Sequence, residues 1–210
     1  MSGKRVRGGR SWMDEHVNDP FVQQAKAAGY RSRAAFKLLE LDTRDRLLAP
    51  GRRVVDLGAA PGSWSQVAIK RGGPTAHVVG VDLLPVDPMP GLTFIQGDFF
   101  DVKILDAVLA ALGDQPADLV LSDMAPNISG IASADQARAI GLAELALDFA
   151  NVALKPGGSM VVKLFQGSGY TEFLQALRLR FGSVATRKPE ASRDRSSEMF
   201  VVAKAFKGRV

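Results

Sequence analysis

Val54-Val55-Asp56-Leu57-Gly58-Ala59-Ala60-Pro61-Gly62-Ser63-Trp64 is a stretch that predicts a strand, a tight turn and the start of a helix. Gly58 and Gly62 let the backbone approach a ligand closely, and free N–H groups at a helix start favour electronegative atoms. The pattern is D-x-G-x-x-P-G, and not the G-x-G-x-x-G that cradles a pyrophosphate. Because its acid would repel phosphate and attract a cation, the stretch favours S-adenosylmethionine, which carries a sulfonium and an ammonium.

Two further acids fall at the ends of the next predicted strands. Asp82 ends the run Val78-Val79-Gly80-Val81, where an acid that binds a ribose hydroxyl pair is expected. Asp98 follows the third strand, where a carboxylate can accept a hydrogen bond from an adenine amino group. The structural alternative is that any doubly wound sheet carries Gly and Asp at its strand ends.

Composition limits the class of protein. A chain of 210 residues with 46% hydrophobic content suits one α/β domain with a short appendage. No apolar run approaches the roughly 18 residues of a membrane helix, and no apolar segment follows the basic N-terminus, so we expect a cytoplasmic protein. With no cysteine and two histidines, we expect neither disulfides nor a metal. We also expect a monomer.

The net charge of +5 is unevenly distributed along the chain. Lys and Arg outnumber Asp and Glu by 12 to 6 in residues 1–53 and by 9 to 3 in residues 178–210, whereas residues 54–177 have 6 against 13. If the fold brings the two ends together, they form a basic face suited to a phosphate backbone; the alternative is a solvated mixture of charges. The candidate RNA-binding residues are Lys4, Arg5, Arg7, Arg10, Arg31, Arg33, Arg193 and Arg195.

The N-terminal part is predicted to be helical behind a flexible arm. Residues 1–12 are rich in Gly, Lys and Arg and lack apolar residues that could pack. Residues 13–50 predict two amphipathic helices, one opened by Asp19-Pro20-Phe21 and ending at Ala28, the other over 30–41 with Ser32 as a plausible N-cap. The inward-facing residues of the second helix are predicted to be Phe36, Leu39 and Leu41.

Residues 51–210 alternate short apolar runs with helical patterns, which is typical of βαβ units. We predict an α/β fold in which helices flank a seven-stranded, mostly parallel sheet whose last strand is antiparallel. Its strands fall at about 53–57, 77–82, 92–96, 118–122, 158–164, 183–187 and 198–205. Its helices fall at about 63–71, 101–112, 133–154 and 170–181. Together, residues 13–210 are expected to form a single domain.

Five segments in this order resemble the FtsJ/RrmJ group of RNA ribose 2′-O-methyltransferases, and the resemblance covers nearly the whole chain. It implies a Rossmann-like, S-adenosylmethionine-dependent methyltransferase fold. It also implies a catalytic tetrad of Lys37, Asp123, Lys163 and Glu198. The cofactor contacts that it implies are Gly62, Trp64, Asp82, Asp98 and Asp123, in addition to the candidate cofactor-binding residues Asp56 and Gly58. The segments are Ser32-Arg33-Ala34-Ala35-Phe36-Lys37-Leu38, 56–66, Ser122-Asp123-Met124-Ala125-Pro126-Asn127, Val161-Val162-Lys163-Leu164-Phe165 and 192–200.

The resemblance further implies the substrate. The short chain is similar to bacterial members of the group that act on large-subunit ribosomal RNA, which implies a uridine in the A-loop of 23S rRNA, within the assembled ribosomal subunit. Alternative targets are transfer RNA and an mRNA cap. An alternative from another functional class is a non-catalytic RNA-binding assembly factor, but such a protein would not need the tetrad. A nicotinamide oxidoreductase is disfavoured by the missing third glycine and by Pro61.

Lys163 is the candidate base for a ribose hydroxyl, which is a poor nucleophile. A free lysine has a pKa of about 10.4, whereas a lysine that acts as a general base near neutral pH needs a pKa of roughly 7 to 8. Burial and the second cation Lys37 would lower it, whereas Asp123 and Glu198 would act in the opposite sense. Lys163 could instead remain an ammonium that orients the hydroxyl while water takes the proton.

Overall fold

A seven-stranded sheet forms the centre of the protein, in the order β3-β2-β1-β4-β5-β7-β6. The computed structural model describes residues 19–192 and 196–208. Strands β1 to β5 pair in parallel, and β7 pairs antiparallel with both β5 and β6. The strands are β1 (Arg53–Leu57), β2 (His77–Asp82), β3 (Leu92–Gln96), β4 (Ala117–Ser122), β5 (Leu154–Phe165), β6 (Phe181–Arg187) and β7 (Glu198–Phe206).

Helices cover both faces of this sheet and give it two apolar cores. One core packs α4, α5 and α6 against the sheet, and the other packs α2 and α3 against the opposite face. Both faces of the central strands are therefore buried, as continuous Val- and Leu-rich strands require. The helices are α1 (Pro20–Ala27), α2 (Ala34–Asp45), α3 (Ser63–Gly72), α4 (Val102–Leu112), α5 (Ala132–Ala153) and α6 (Tyr170–Arg180), with a 3₁₀ turn at Gly73–Thr75.

The predicted fold class is confirmed, and most element boundaries agree within three residues. Three boundaries were wrong by four residues: α2 runs from Ala34 to Asp45, and not over 30–41, and β5 begins at Leu154, and not at 158. Ser32 precedes the helix and accepts a hydrogen bond from the Ala34 N–H at 3.2 Å. Because the helix begins later than predicted, its fully buried residues are Ala35, Leu38 and Leu41, while Phe36 and Leu39 are half-buried.

The two ends of the described chain meet on the α2 side of the sheet. Arg187 on β6 forms a bidentate pair with Asp45 at the end of α2, at 2.9 and 2.8 Å. Lys204 on β7 donates to the Asp45 carbonyl oxygen at 2.8 Å. These contacts fix α2 against the antiparallel edge of the sheet, which positions Lys37 near β5 and β7.

Within residues 19–192 and 196–208, no helix is both long enough and apolar enough to cross a membrane. Residues 1–12, predicted as a flexible basic arm, lie outside the described residues.

Candidate active site

A cavity of about 420 Å³ opens at the carboxyl ends of β1, β2, β3 and β4. Parallel sheets bind ligands at this edge. Three predicted cofactor carboxylates, on Asp82, Asp98 and Asp123, line the cavity, together with Gly58. Apolar side chains complete one wall: Leu83, Leu84 and Phe100 line it and are 61%, 65% and 63% exposed.

Local backbone geometry holds the Asp82 and Asp98 carboxylates in place. Asp82 accepts hydrogen bonds from the N–H groups of Ala60 at 2.9 Å and Leu84 at 2.8 Å. Asp98 accepts from the Phe100 N–H at 3.0 Å. Each carboxylate therefore fixes the loop that follows its own strand, and Asp82 also fixes the turn after β1.

Asp56 lies beneath this cavity and is fully buried. One carboxylate oxygen accepts a hydrogen bond from the Ser65 hydroxyl at 2.6 Å, and the other has no hydrogen-bond partner within the described residues. Burial raises the pKa of Asp56 from 3.8 to about 7, a rise that Ser65 opposes and that nearby Asp123 and Asp82 reinforce. Asp56 therefore changes its charge near neutral pH.

The four predicted catalytic residues form two ion pairs next to the cavity. Lys37 Nζ lies 2.7 Å from a Glu198 carboxylate oxygen. Lys163 Nζ lies 3.0 Å from Asp123 Oδ1 and donates to the Asp123 carbonyl oxygen at 2.5 Å. The exposed fractions of these side chains are 12% and 13% in the first pair and 8% and 19% in the second, so both pairs are largely removed from solvent.

The register of β5 against β7 brings the two pairs together. Lys163 lies opposite Phe200, and Phe165 lies opposite Glu198. Directly opposite residues of an antiparallel pair, and residues two apart on one strand, share a face of the sheet. Lys163, Glu198 and Phe200 therefore share the face of the sheet that α2 covers, and Lys37 Nζ lies 5.3 Å from the centre of the Phe200 ring.

The Glu198 carboxylate responds to both lysines. Its burial pushes its pKa upward, but the Lys37 ammonium, with smaller contributions from Ser192 and Lys163, outweighs burial and holds the pKa of Glu198 below its ordinary value. The two ion pairs are therefore one electrostatic cluster, and Glu198 is ionised at neutral pH.

Gly62 and Trp64, two predicted cofactor contacts, do not line the described cavity. The Trp64 ring is 3% exposed and donates from Nε1 to the Ala34 carbonyl oxygen at 2.8 Å, which ties α3 to α2. Gly62, with φ of 101°, faces Arg31 and the loop after β2. Contacts from these two residues to the cofactor stay predictions, and the Trp64 ring itself packs on Phe200.

Arg31 and Arg33, two predicted RNA contacts, both make contacts within the chain. The Arg31 guanidinium donates to the carbonyl oxygens of Pro61 at 3.0 Å and Pro88 at 3.2 Å, which bridges the loops after β1 and β2. Arg33 pairs with Asp19 and donates to the Ala191 carbonyl oxygen. Their contacts with phosphate stay predictions, as do those of Lys4, Arg5, Arg7, Arg10, Arg193 and Arg195, which lie outside the described residues.

The residues around the cavity fit S-adenosylmethionine. Asp56, Asp82, Asp98 and Asp123 create negative potential suited to a sulfonium and an ammonium, and exposed Leu83, Leu84 and Phe100 offer a surface for a flat purine ring. The acids were predicted from the sequence, whereas the apolar wall was not. Within residues 19–192 and 196–208, no group of three His, Asp or Glu is arranged to hold a metal ion.

The sheet order and the acidic cavity at its carboxyl edge define the class of S-adenosylmethionine-dependent methyltransferases. A family model described as FtsJ-like methyltransferase matches residues 30–206, and the chain therefore belongs to the FtsJ-like methyltransferase family. As predicted, it is a methyltransferase that takes S-adenosylmethionine as its methyl donor.

Individual relatives agree with this assignment. The chain is 57% identical over 199 residues to the "Ribosomal RNA large subunit methyltransferase E" of Azoarcus sp. (strain BH72), covering 95% of this chain and 97% of that one. It is 53% identical over 203 residues to the protein of the same name from Marinobacter nauticus, covering 97% and 98%. A crystal structure described as a ribosomal RNA methyltransferase from Plasmodium falciparum has a TM-score of 0.76 and 32% identity, covering 86% of this chain and all of that one.

The raised pKa of Asp56 predicts a pH-dependent stability. An unfolded Asp ionises near pH 4, whereas the folded protein keeps its proton on Asp56 to about pH 7. The unfolded state therefore binds fewer protons between these values, and the free energy of unfolding falls with rising pH by up to roughly 4 kcal/mol. Relative to the unsubstituted chain, Asp56→Asn is expected to gain stability as pH rises from 4 to 7, measured by urea unfolding.

Asp118→Asn is the matched control, because the pKa of Asp118 is lowered. Burial raises the pKa of Asp118, but hydrogen bonds from the Arg53 N–H and from Lys155 lower it by more. The stabilisation that ionised Asp118 provides is therefore lost as pH falls. The two variants should therefore diverge from the unsubstituted chain in opposite directions with pH. Parallel curves for Asp56→Asn and the unsubstituted chain between pH 4 and 7 would contradict the assignment.

Proposed function

We propose that this protein transfers a methyl group from S-adenosylmethionine to the ribose 2′-hydroxyl of a uridine in the A-loop of large-subunit (23S) ribosomal RNA. The observation that carries the proposal is the cluster of Lys37, Asp123, Lys163 and Glu198 beside an acidic, nucleoside-sized cavity. Relatives that carry the name of a large-subunit ribosomal RNA methyltransferase support this choice of RNA. We further propose that the protein works as a monomer in the cytoplasm, on the assembled subunit.

The cofactor, when bound, supplies a methyl group on a positively charged sulfur. The chain must then orient the ribose oxygen for in-line attack and accept its proton. We propose Lys163 for both tasks, because it is 8% exposed and adjoins Asp123, which lines the cavity. Lys37 and Glu198 fill the other side of the cluster.

The contacts of Lys163 leave its nitrogen able to bind the substrate hydroxyl. Nζ donates one hydrogen bond, to the Asp123 carbonyl oxygen, and lies 3.0 Å from Asp123 Oδ1, which has no hydrogen-bond partner within the described residues. In a neutral amine, one N–H donates to the carbonyl oxygen and the lone pair can take the ribose proton. In an ammonium, a further N–H would instead donate to the ribose oxygen. We propose the base role, in which the ribose O–H bond breaks, the O–C bond to the methyl group forms and Nζ takes the proton.

Labelled methyl transfer to unmethylated 50S subunits and to naked 23S rRNA, followed by mapping of the modified ribose, tests the proposed function. We expect transfer to one uridine in the A-loop. Transfer only to tRNA or to a capped RNA would replace the proposed substrate, and absence of transfer to any of these RNAs would overturn the enzyme's proposed RNA specificity.

Lys163→Ala is expected to lower kcat by roughly 10² to 10⁴-fold, the usual contribution of general base catalysis. Affinity for S-adenosylmethionine, measured by titration calorimetry, should change little, because Lys163 does not itself line the cavity. Lys163→Arg separates the two roles, since an arginine keeps the positive charge but does not release its proton. Near-normal activity of Lys163→Arg, or a pH–rate profile without a rising limb, would contradict the base role.

Residues 1–11 are proposed to contribute to RNA binding through Lys4, Arg5, Arg7 and Arg10. Deleting these residues should weaken subunit binding and reduce the slope of log affinity against log salt, by about 0.7 to 0.9 for each phosphate that is no longer neutralised. A variant with the four cations changed to Gln keeps the length and should behave like the deletion. An unchanged slope in both would show that these cations do not bind phosphate.

A further inference from the structure

A second cavity, of about 180 Å³, lies beside the first. It is formed by the loop that follows β4, the first two turns of α5 and the end of β5, and Ala125 lines both cavities. Its walls are mostly apolar, and Ile128 at its edge is 84% exposed. The lining residues used below are Ala125, Pro126, Ile128, Gln136 and Phe165.

The position of this cavity relates it to the reacting group. Phe165 follows Lys163 by two residues on β5, so both side chains project from the same face about 6.6 Å apart along the strand. That spacing is on the scale of a single nucleotide, whose 2′-oxygen and base are joined through one sugar ring. A ribose hydroxyl at Lys163 therefore leaves the attached base within reach of Phe165.

The shape and lining of the cavity suit a single flat ring. Its volume is below the roughly 300 Å³ at which pockets for drug-sized ligands begin. Phe165 offers an aromatic surface, and Ala125, Pro126 and Ile128 offer apolar contact. Proteins that hold a nucleotide outside a duplex commonly stack its base on such side chains.

The polar contacts of Gln136 define which edge of a ring it can bind. Its Nε2 donates to the carbonyl oxygens of Phe165 at 3.2 Å and Ser168 at 3.1 Å, which uses both N–H groups and fixes the orientation of the amide. Within the described residues, its Oε1 has no hydrogen-bond donor. The amide can therefore accept from a ring N–H and cannot pair with a ring edge that has only acceptors.

The loop on the other side of the cavity is held independently of any ligand. Asp135 accepts hydrogen bonds from the N–H and hydroxyl of Ser129 at 2.8 and 2.7 Å and from the Gly130 N–H at 3.0 Å. These bonds lower the pKa of Asp135. Asp135 is therefore occupied with the loop, and Gln136 is the polar side chain of the wall that remains available.

We propose that this second cavity binds the base of the methylated nucleotide, with the ring packed on Phe165 and its imino N–H donating to Gln136 Oε1. The proposal rests on the proposed function, because it takes the ribose of the same nucleotide to lie at Lys163. A uracil meets the requirement, since it is a single ring whose N3–H is a donor. Selection of the base is thereby assigned to residues outside the four-residue catalytic cluster.

Kinetics on reconstituted 50S subunits test the proposal. Subunits are assembled with 23S rRNA that carries either uridine or N3-methyluridine at the mapped position, and single-turnover methyl transfer is measured. Phe165→Leu, which keeps an apolar side chain but removes the ring, is expected to lower kcat/KM for the uridine subunits roughly 5- to 100-fold. Gln136→Ala is expected to lower it about tenfold and to abolish the preference for uridine over N3-methyluridine.

The loss of base preference separates recognition from a structural effect of Gln136, because a displaced loop would slow both substrates alike. Gln175→Ala and Leu179→Ala, on the exposed side of α6, are matched controls and should leave all rates unchanged. S-adenosylmethionine affinity should be retained in every variant.

The outcomes distinguish this proposal from the proposed function. The base site alone is overturned if the unsubstituted chain transfers the methyl group and both variants transfer it at the same rate. A preference for uridine that persists in Gln136→Ala would also overturn the base site alone. A loss of S-adenosylmethionine affinity as large as the loss of kcat/KM would also overturn it, because these residues would then bind the methyl donor. Absence of transfer to any subunit by the unsubstituted chain would overturn the proposed function and the base site together.

Discussion

The mutual neutralisation of two lysines and two carboxylates is the constraint on which the site depends. Charges removed from water are tolerated only when each has a close partner, and removing one partner leaves the other uncompensated. Lys37, Asp123, Lys163 and Glu198 satisfy this condition although they come from α2, the loop after β4, β5 and β7. Four distant segments are therefore held in one arrangement by the same contacts that create the chemical site.

The acidic rim and the lysine cluster act together. Asp123 belongs to both, because it lines the first cavity and pairs with Lys163. It also helps to raise the pKa of Asp56, so the rim carries more negative potential than it can hold fully ionised near neutral pH. A cationic ligand relieves this repulsion, whereas an anionic one would increase it, which explains why an acid stands where phosphate-binding loops have glycine.

The fold could be predicted from the sequence because its central strands are short apolar runs that end in acids. The strands 53–57, 77–82 and 92–96 were predicted at their observed ends, since Gly58 follows the first run, Asp82 ends the second and Gly97 follows the third. The start of α2 could not be predicted, because residues 30–33 are used in contacts with Gln66, Pro61, Ser63 and Ala191 that are distant in the sequence. Tertiary contacts there override a favourable helical pattern.

The site was only partly predictable for the same reason. The acids and lysines stand out in the sequence because charged residues at the ends of buried strands need partners. Trp64 stood out as a cofactor contact, but its ring ties α3 to α2 and does not line the first cavity; Arg33 stood out as an RNA contact, and its side chain pairs with Asp19. The exposed wall of Leu83, Leu84 and Phe100 gave no signal, because single exposed apolar residues are common in any sequence.

Strand β5 and the loop after β4 explain how one edge of the sheet can serve two ligands. Residues 163 and 165 lie on the same face of β5, Lys163 contacts Asp123 and Phe165 lines the second cavity, while Leu164 between them is buried in the opposite core. In the loop, Asp123 faces the methyl-donor cavity and Ala125 borders both. Because a strand and a short loop with fixed ends are rigid, the distance between the two cavities is set by the backbone. In the arrangement that we propose, a nucleotide that spans both cavities is therefore aligned with the methyl donor by the fold itself.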